Sequence, residues 1–95
     1  MRDYELMTIH RPDLAEADVE SKVGELESYL STAGCSVTKR DLWGKRRFAY
    51  EIDHITEGYY TVFEFQGEAD AIGSLDRMLS LSDEVLRHKI VRPGE

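Results

Sequence analysis

The sequence predicts an α+β fold, a four-stranded antiparallel sheet with two helices on one face, and three observations predict it. First, four segments rich in alternating apolar residues are separated by two segments with the three-and-four spacing of helices, in the order β-α-β-β-α-β. Second, each helical segment has a single apolar stripe, and such a stripe needs an apolar sheet face to cover. Third, the chain has 95 residues, 41% of them apolar, enough for one domain over 1–95 and little more. Right-handed crossovers then favour the strand order 4-1-3-2 of ferredoxin-like folds.

The first strand lies in residues 2–10, with Tyr4, Leu6 and Thr8 on one side and Asp3, Glu5, Met7 and Ile9 on the other. Pro12 stops it, and Asp13 is placed to start a helix by accepting a backbone N–H bond. Val19, Val23, Leu26, Leu30 and Ala33 form that helix's stripe, and Gly34 ends it. Cys35 to Ile52 reads as a long strand interrupted at Trp43-Gly44, where a glycine in mid-strand marks a bulge or bend. Asp53 to Gly58 reads as a turn and Tyr59 to Gln66 as the third strand. Gly67 opens a second helix striped by Ile72, Leu75 and Leu79, and Val85 to Arg92 is the last strand. The sheet face away from the helices should then carry Tyr60, Glu64, Arg87 and Lys89.

Charge separates along the chain. The formal net charge of −7 argues at first against a nucleic-acid partner. Yet residues 39–47 hold Lys39, Arg40, Lys45, Arg46 and Arg47 against Asp41 alone, and residues 87–95 hold Arg87, Lys89 and Arg92 against Glu95. These windows carry +4 and +2, which leaves −13 for everything else. A chain that needed only solubility would intersperse its signs. Segregation instead suggests one surface for phosphates and another for something cationic, such as a basic protein.

Catalytic signals are missing. His10, His54 and His88 lack metal-ligand spacing, and the single cysteine, Cys35, excludes a disulfide framework or a CxxC metal site. No phosphate-binding glycine loop or GxSxG elbow is present, and the sequence contains no asparagine, which an acylphosphatase of this fold would need. The chain reads as non-enzymatic, without a cofactor. It has neither a signal-type apolar stretch at Met1-Arg2-Asp3-Tyr4-Glu5 nor a run near the ~20 apolar residues of a membrane span, so a cytoplasmic location is expected. What remains is Trp43-Gly44-Lys45-Arg46-Arg47-Phe48-Ala49-Tyr50-Glu51-Ile52. Its cations suit phosphates, and Trp43 either stacks on a base or packs on a partner protein. The plain alternative is that Trp43 covers the edge of the core while the cations keep a long strand from aggregating.

That segment resembles the signature of the ribosomal protein S6 family of the bacterial small subunit. Met1 to Glu5, Glu57-Gly58-Tyr59-Tyr60, and Leu75-Asp76-Arg77-Met78-Leu79 through Asp83-Glu84-Val85-Leu86-Arg87 agree with it, so the resemblance spans the chain. It implies the fold reached above and a structural role: binding small-subunit ribosomal RNA of the central domain together with small-subunit ribosomal protein eighteen, a basic partner. Carried onto matching positions, it implies RNA contact by Arg2, Lys45, Arg46, Arg47, Arg87, Lys89 and Arg92. The protein partner is expected at Trp43, Gly44 and Tyr60. The rival reading is a ferredoxin-like ligand-binding or regulatory module that dimerises through its sheet.

Overall fold

The computed structural model describes residues 2–93. Its elements are β1 (Arg2–His10), α1 (Glu16–Thr32), β2 (Ser36–Ile52), β3 (Ile55–Gly67), α2 (Ala69–Leu81) and β4 (Val85–Val91). The strands form one antiparallel sheet in the order β2-β3-β1-β4, the predicted 4-1-3-2 order read from the other edge. In register, Tyr4 faces Phe65, Leu6 faces Phe63 and Thr8 faces Thr61. All six are buried, and the helix stripes Val19, Val23, Leu26, Leu30 and Leu75, Leu79 close over them. Ala33, the last residue of the predicted stripe, is instead the exposed C-cap of α1.

Three boundaries differ from the sequence reading by more than one residue. Helix α1 starts at Glu16 with Ala15 as its N-cap, not at Asp13; the Asp18 and Val19 amides donate to the Ala15 carbonyl at 2.9 and 3.0 Å. Leu14 before the cap and Val19 in the first turn both pack on the core, at the spacing of a hydrophobic staple, and that apolar pair outweighs a cap at Asp13. The turn after β2 is only Asp53-His54, both with positive φ (51° and 65°), so β3 begins at Ile55. Two such residues match the twist of a two-residue hairpin, and Asp and His tolerate that conformation better than most. Gly67 ends β3, and α2 begins at Ala69.

Two glycines have separate causes. Gly44 has φ +84° at a register shift where Leu42 faces Thr61 and Gly44 faces Tyr60, so Trp43 is the extra residue of a β-bulge. Gly58 lies where the chain crosses the end of β1: a Cβ there would sit 2.8 Å from the His10 carbonyl oxygen and 2.7 Å from Ile9 Cγ2. The glycine that reads as a turn signal is therefore a close-packing residue inside a strand.

Substitutions separate these causes. Gly44→Ala should cost about 1–2 kcal/mol through left-handed strain, with Gly44→Asn recovering part of it. Gly58→Ala should cost about 1–3 kcal/mol by overpacking, with no recovery in Gly58→Asn; urea denaturation of the four variants measures both. His10 gives a pH prediction. Burial holds its imidazole below the ordinary 6.5, with Lys22 adding to the effect and the Glu84 carboxylate opposing it. The unfolded chain therefore takes up the proton first, and this contribution to stability is lost as pH falls below about 6.5. Denaturation midpoints between pH 7.5 and 5 should fall for the native sequence and fall less steeply for His10→Phe.

Candidate nucleic-acid interface

The strand order sends the two basic segments to opposite edges of the sheet. Strand β2 carries Lys45, Arg46 and Arg47, β4 carries Arg87 and Lys89, and β3 and β1 lie between them. Three interstrand spacings put these edges about 14 Å apart.

Strand alternation then divides the run Lys45-Arg46-Arg47. Lys45, opposite Tyr59, turns to the helix side with its ammonium 5.2 Å from the Tyr59 ring centroid. Arg46, opposite Gly58, turns to the open face; its guanidinium lies 5.8 Å from the Trp43 ring centroid, and its Nε donates to the Trp43 carbonyl at 3.4 Å. Arg47, opposite Glu57, returns to the helix side and is exposed. Cation–π contacts at such exposed sites are worth about 0.5–1 kcal/mol, enough to orient these cations but not to commit them. A phosphate backbone lying along this edge can thus be met from both sides of the sheet. Lys39 and Arg40 are engaged differently: Lys39 pairs with Asp41 at 3.5 Å and Glu64 at 3.7 Å, and Arg40 pairs with Glu27 at 2.9 Å.

At the other edge Arg87 faces Ile9 and Lys89 faces Met7. Both are exposed on the open face, around a shallow hollow floored by Met7 and Ile9. Arg2, opposite Gly67, and Arg92, just beyond the Glu5–Val91 pair, lie at the far end of the sheet. The structure therefore does not bring these two together with the others.

Between the edges lies an aromatic patch. The Trp43 and Tyr60 rings are nearly parallel, 7° apart with centroids at 6.1 Å, and Phe48 tilts against Tyr60 at 6.1 Å. The bulge at Gly44 aims Trp43 onto this face and leaves it 48% exposed. The sequence reading puts Tyr60, Glu64, Arg87 and Lys89 on this face and sets Met7 and Ile9 on the side of β1 away from Tyr4, Leu6 and Thr8, as found; it does not bring Phe48 against Tyr60. Beyond Arg47 the register shifts again before Ile52 meets Ile55, and Tyr50 stands 85% exposed.

Other chemistry recedes. Cys35 is buried, and that burial pushes its thiol above the ordinary range, which disfavours a nucleophile. Among the described residues no group of three or more His, Cys, Asp and Glu could hold a metal ion, and no helix is long and apolar enough to cross a membrane.

The family described as ribosomal protein S6 matches residues 3–92. The chain belongs to the ribosomal protein S6 family. Small ribosomal subunit protein bS6 of Symbiobacterium thermophilum is 45% identical over the whole of both chains. The crystal structure of 30S ribosomal protein S6 from Thermotoga maritima is similar with a TM-score of 0.92 at 29% identity, over 96% of this chain and 86% of that one. The C-terminal domain of the MgtC protein from Mycobacterium tuberculosis, at a TM-score of 0.63 and 15% identity over 97% and 87%, shares the fold alone. The fold therefore does not specify the role, and the sequence family does. Membership of the S6 family makes this a ribosomal protein and not an enzyme.

Proposed function

We propose that this S6-family chain is a structural constituent of the small ribosomal subunit, working in the cytoplasm. In this reading it binds small-subunit ribosomal RNA through Arg2, Lys45, Arg46, Arg47, Arg87, Lys89 and Arg92, and pairs with small-subunit ribosomal protein eighteen at Trp43, Gly44 and Tyr60. One observation carries the reading: cations occupy both edges of the sheet while a half-exposed aromatic patch occupies the open face between them. Phosphate contacts supply affinity, and an apolar patch ringed by charge suits a protein partner. The net charge of −7 gives poor long-range attraction to RNA, so a basic partner would complete the binding surface.

Two measurements test this. Adding the basic partner should raise affinity for a central-domain RNA fragment at least tenfold, ~1.4 kcal/mol of coupling; equal affinity with and without it at one salt concentration refutes the pairing. Arg46→Ala should shift stability by no more than about 1 kcal/mol, the scale of its contact with Trp43, and Arg87→Ala by no more than about 0.5 kcal/mol. Each should weaken RNA binding by the partner complex and reduce its salt slope by about one unit, the mark of one lost phosphate contact. Lys22→Ala on α1 should leave the slope unchanged. Indistinguishable slopes for Arg46→Ala and Lys22→Ala would remove Arg46 from the interface.

A further inference from the structure

We infer that the groove between α1 and α2, on the side of the molecule opposite the aromatic patch, is a docking site for a cationic amphipathic segment of another protein. Helix α1 runs beside β2 and α2 beside β4, and the surface between the two helices is concave. Two hollows result, and Tyr29 lines both. Half-buried Tyr29 from α1 and Met78 from α2 give an apolar floor, backed by the buried core residues Leu26 and Leu79.

The charge around this floor identifies the occupant. Glu25, Glu84 and Asp70 lie along the groove, and among the described residues Lys22 is the one lysine or arginine lining either hollow. Lys22 is shared between two carboxylates, 3.6 Å from Glu25 and 3.4 Å from Glu84. It acts as a tethered cation occupying the position an incoming lysine or arginine would take. At the same end His10 lines the hollow; it is only 3% exposed, and its Nδ1 has no hydrogen-bond partner among the described residues. An apolar floor with an acidic border repels phosphate and complements a helix or strand that presents apolar anchors beside lysine or arginine. This surface is separate from the one proposed for ribosomal RNA, and its test is independent of that reading.

The probe is a dye-labelled 16-residue amphipathic lysine–leucine peptide, titrated with the full chain and followed by fluorescence anisotropy. Glu84→Gln should weaken binding about threefold and Lys22→Ala should tighten it about threefold, because the variant loses the competing internal cation. Tyr29→Ala should weaken it as well, with circular dichroism confirming that the fold is retained. Asp18→Asn, which removes a carboxylate on α1 outside the groove, should leave affinity unchanged. Equal weakening by Asp18→Asn and Glu84→Gln would show diffuse surface charge and overturn the site. So would a single-stranded oligonucleotide whose binding responds to the same variants. Self-association in sedimentation that Glu84→Gln abolishes would assign the groove to a second copy of this chain and overturn the proposal equally.

Discussion

Antiparallel pairing of β1 with β3 is the constraint from which the rest of the structure follows. Nine residues of β1 pair without a register break against β3, and this alignment puts Tyr4, Leu6 and Thr8 on the same face as Phe65, Phe63 and Thr61. Slippage of β1 by one residue would carry Tyr4, Leu6 and Thr8 to the open side and bring Met7 and Ile9 under the helices. The helix stripes are matched to the first arrangement, because only that face offers buried aromatic rings for Val23, Leu26, Leu30 and Leu75 to cover. Gly58 belongs to the same constraint. By lacking a side chain it lets β3 pass against the His10 carbonyl where the central pair ends.

With β1 and β3 in the centre, β2 and β4 become edges, and the chemistry of the molecule follows from that. A cation on a central strand is hemmed in by neighbours on both sides, whereas one on an edge can reach outward from either face. Lys45, Arg46, Arg47, Arg87 and Lys89 all lie on edge strands, where they also discourage unwanted strand addition. Protection of an edge and contact with phosphate are therefore compatible uses of the same residues. The two helices carry seven acidic residues, Glu16, Asp18, Glu20, Glu25, Glu27, Asp70 and Asp76, against two basic ones, Lys22 and Arg77, so the helical layer is strongly acidic. A net charge of −7 coexists with basic edges because the two signs are segregated in space as well as along the chain.

The helix stripes, the order of elements and the bend at Trp43-Gly44 were legible in the sequence because each is a local signal. A stripe at three-and-four spacing needs no partner to be recognised, and a glycine between two alternating runs has few structural uses. The start of α1, the tight turn at Asp53-His54 and the role of Gly58 were not legible. Leu14 outranks Asp13 only once the core that receives it exists, and Gly58 is required only by a carbonyl nearly fifty residues away in the chain. The candidate interface divides the same way. Its cations could be named from charge clustering and from the family signature, and alternation along a strand already divides Lys45 from Arg46, whereas which of them turns to the helices could not be read from the segment.

By itself the sequence determined composition, periodicity and order, and with them the architecture and the S6-family signature, because period and turn chemistry act over a few residues. Tertiary structure alone decided which residues share a surface. It placed Phe48 against Tyr60, set Trp43 under Arg46, separated Arg2 and Arg92 from Arg87, and opened a groove between two helices that each pack on a different edge strand. The reason is that strand order and register convert sequence separation into distance by a rule no local segment contains. Ile9 and Tyr60, fifty-one positions apart, become partners.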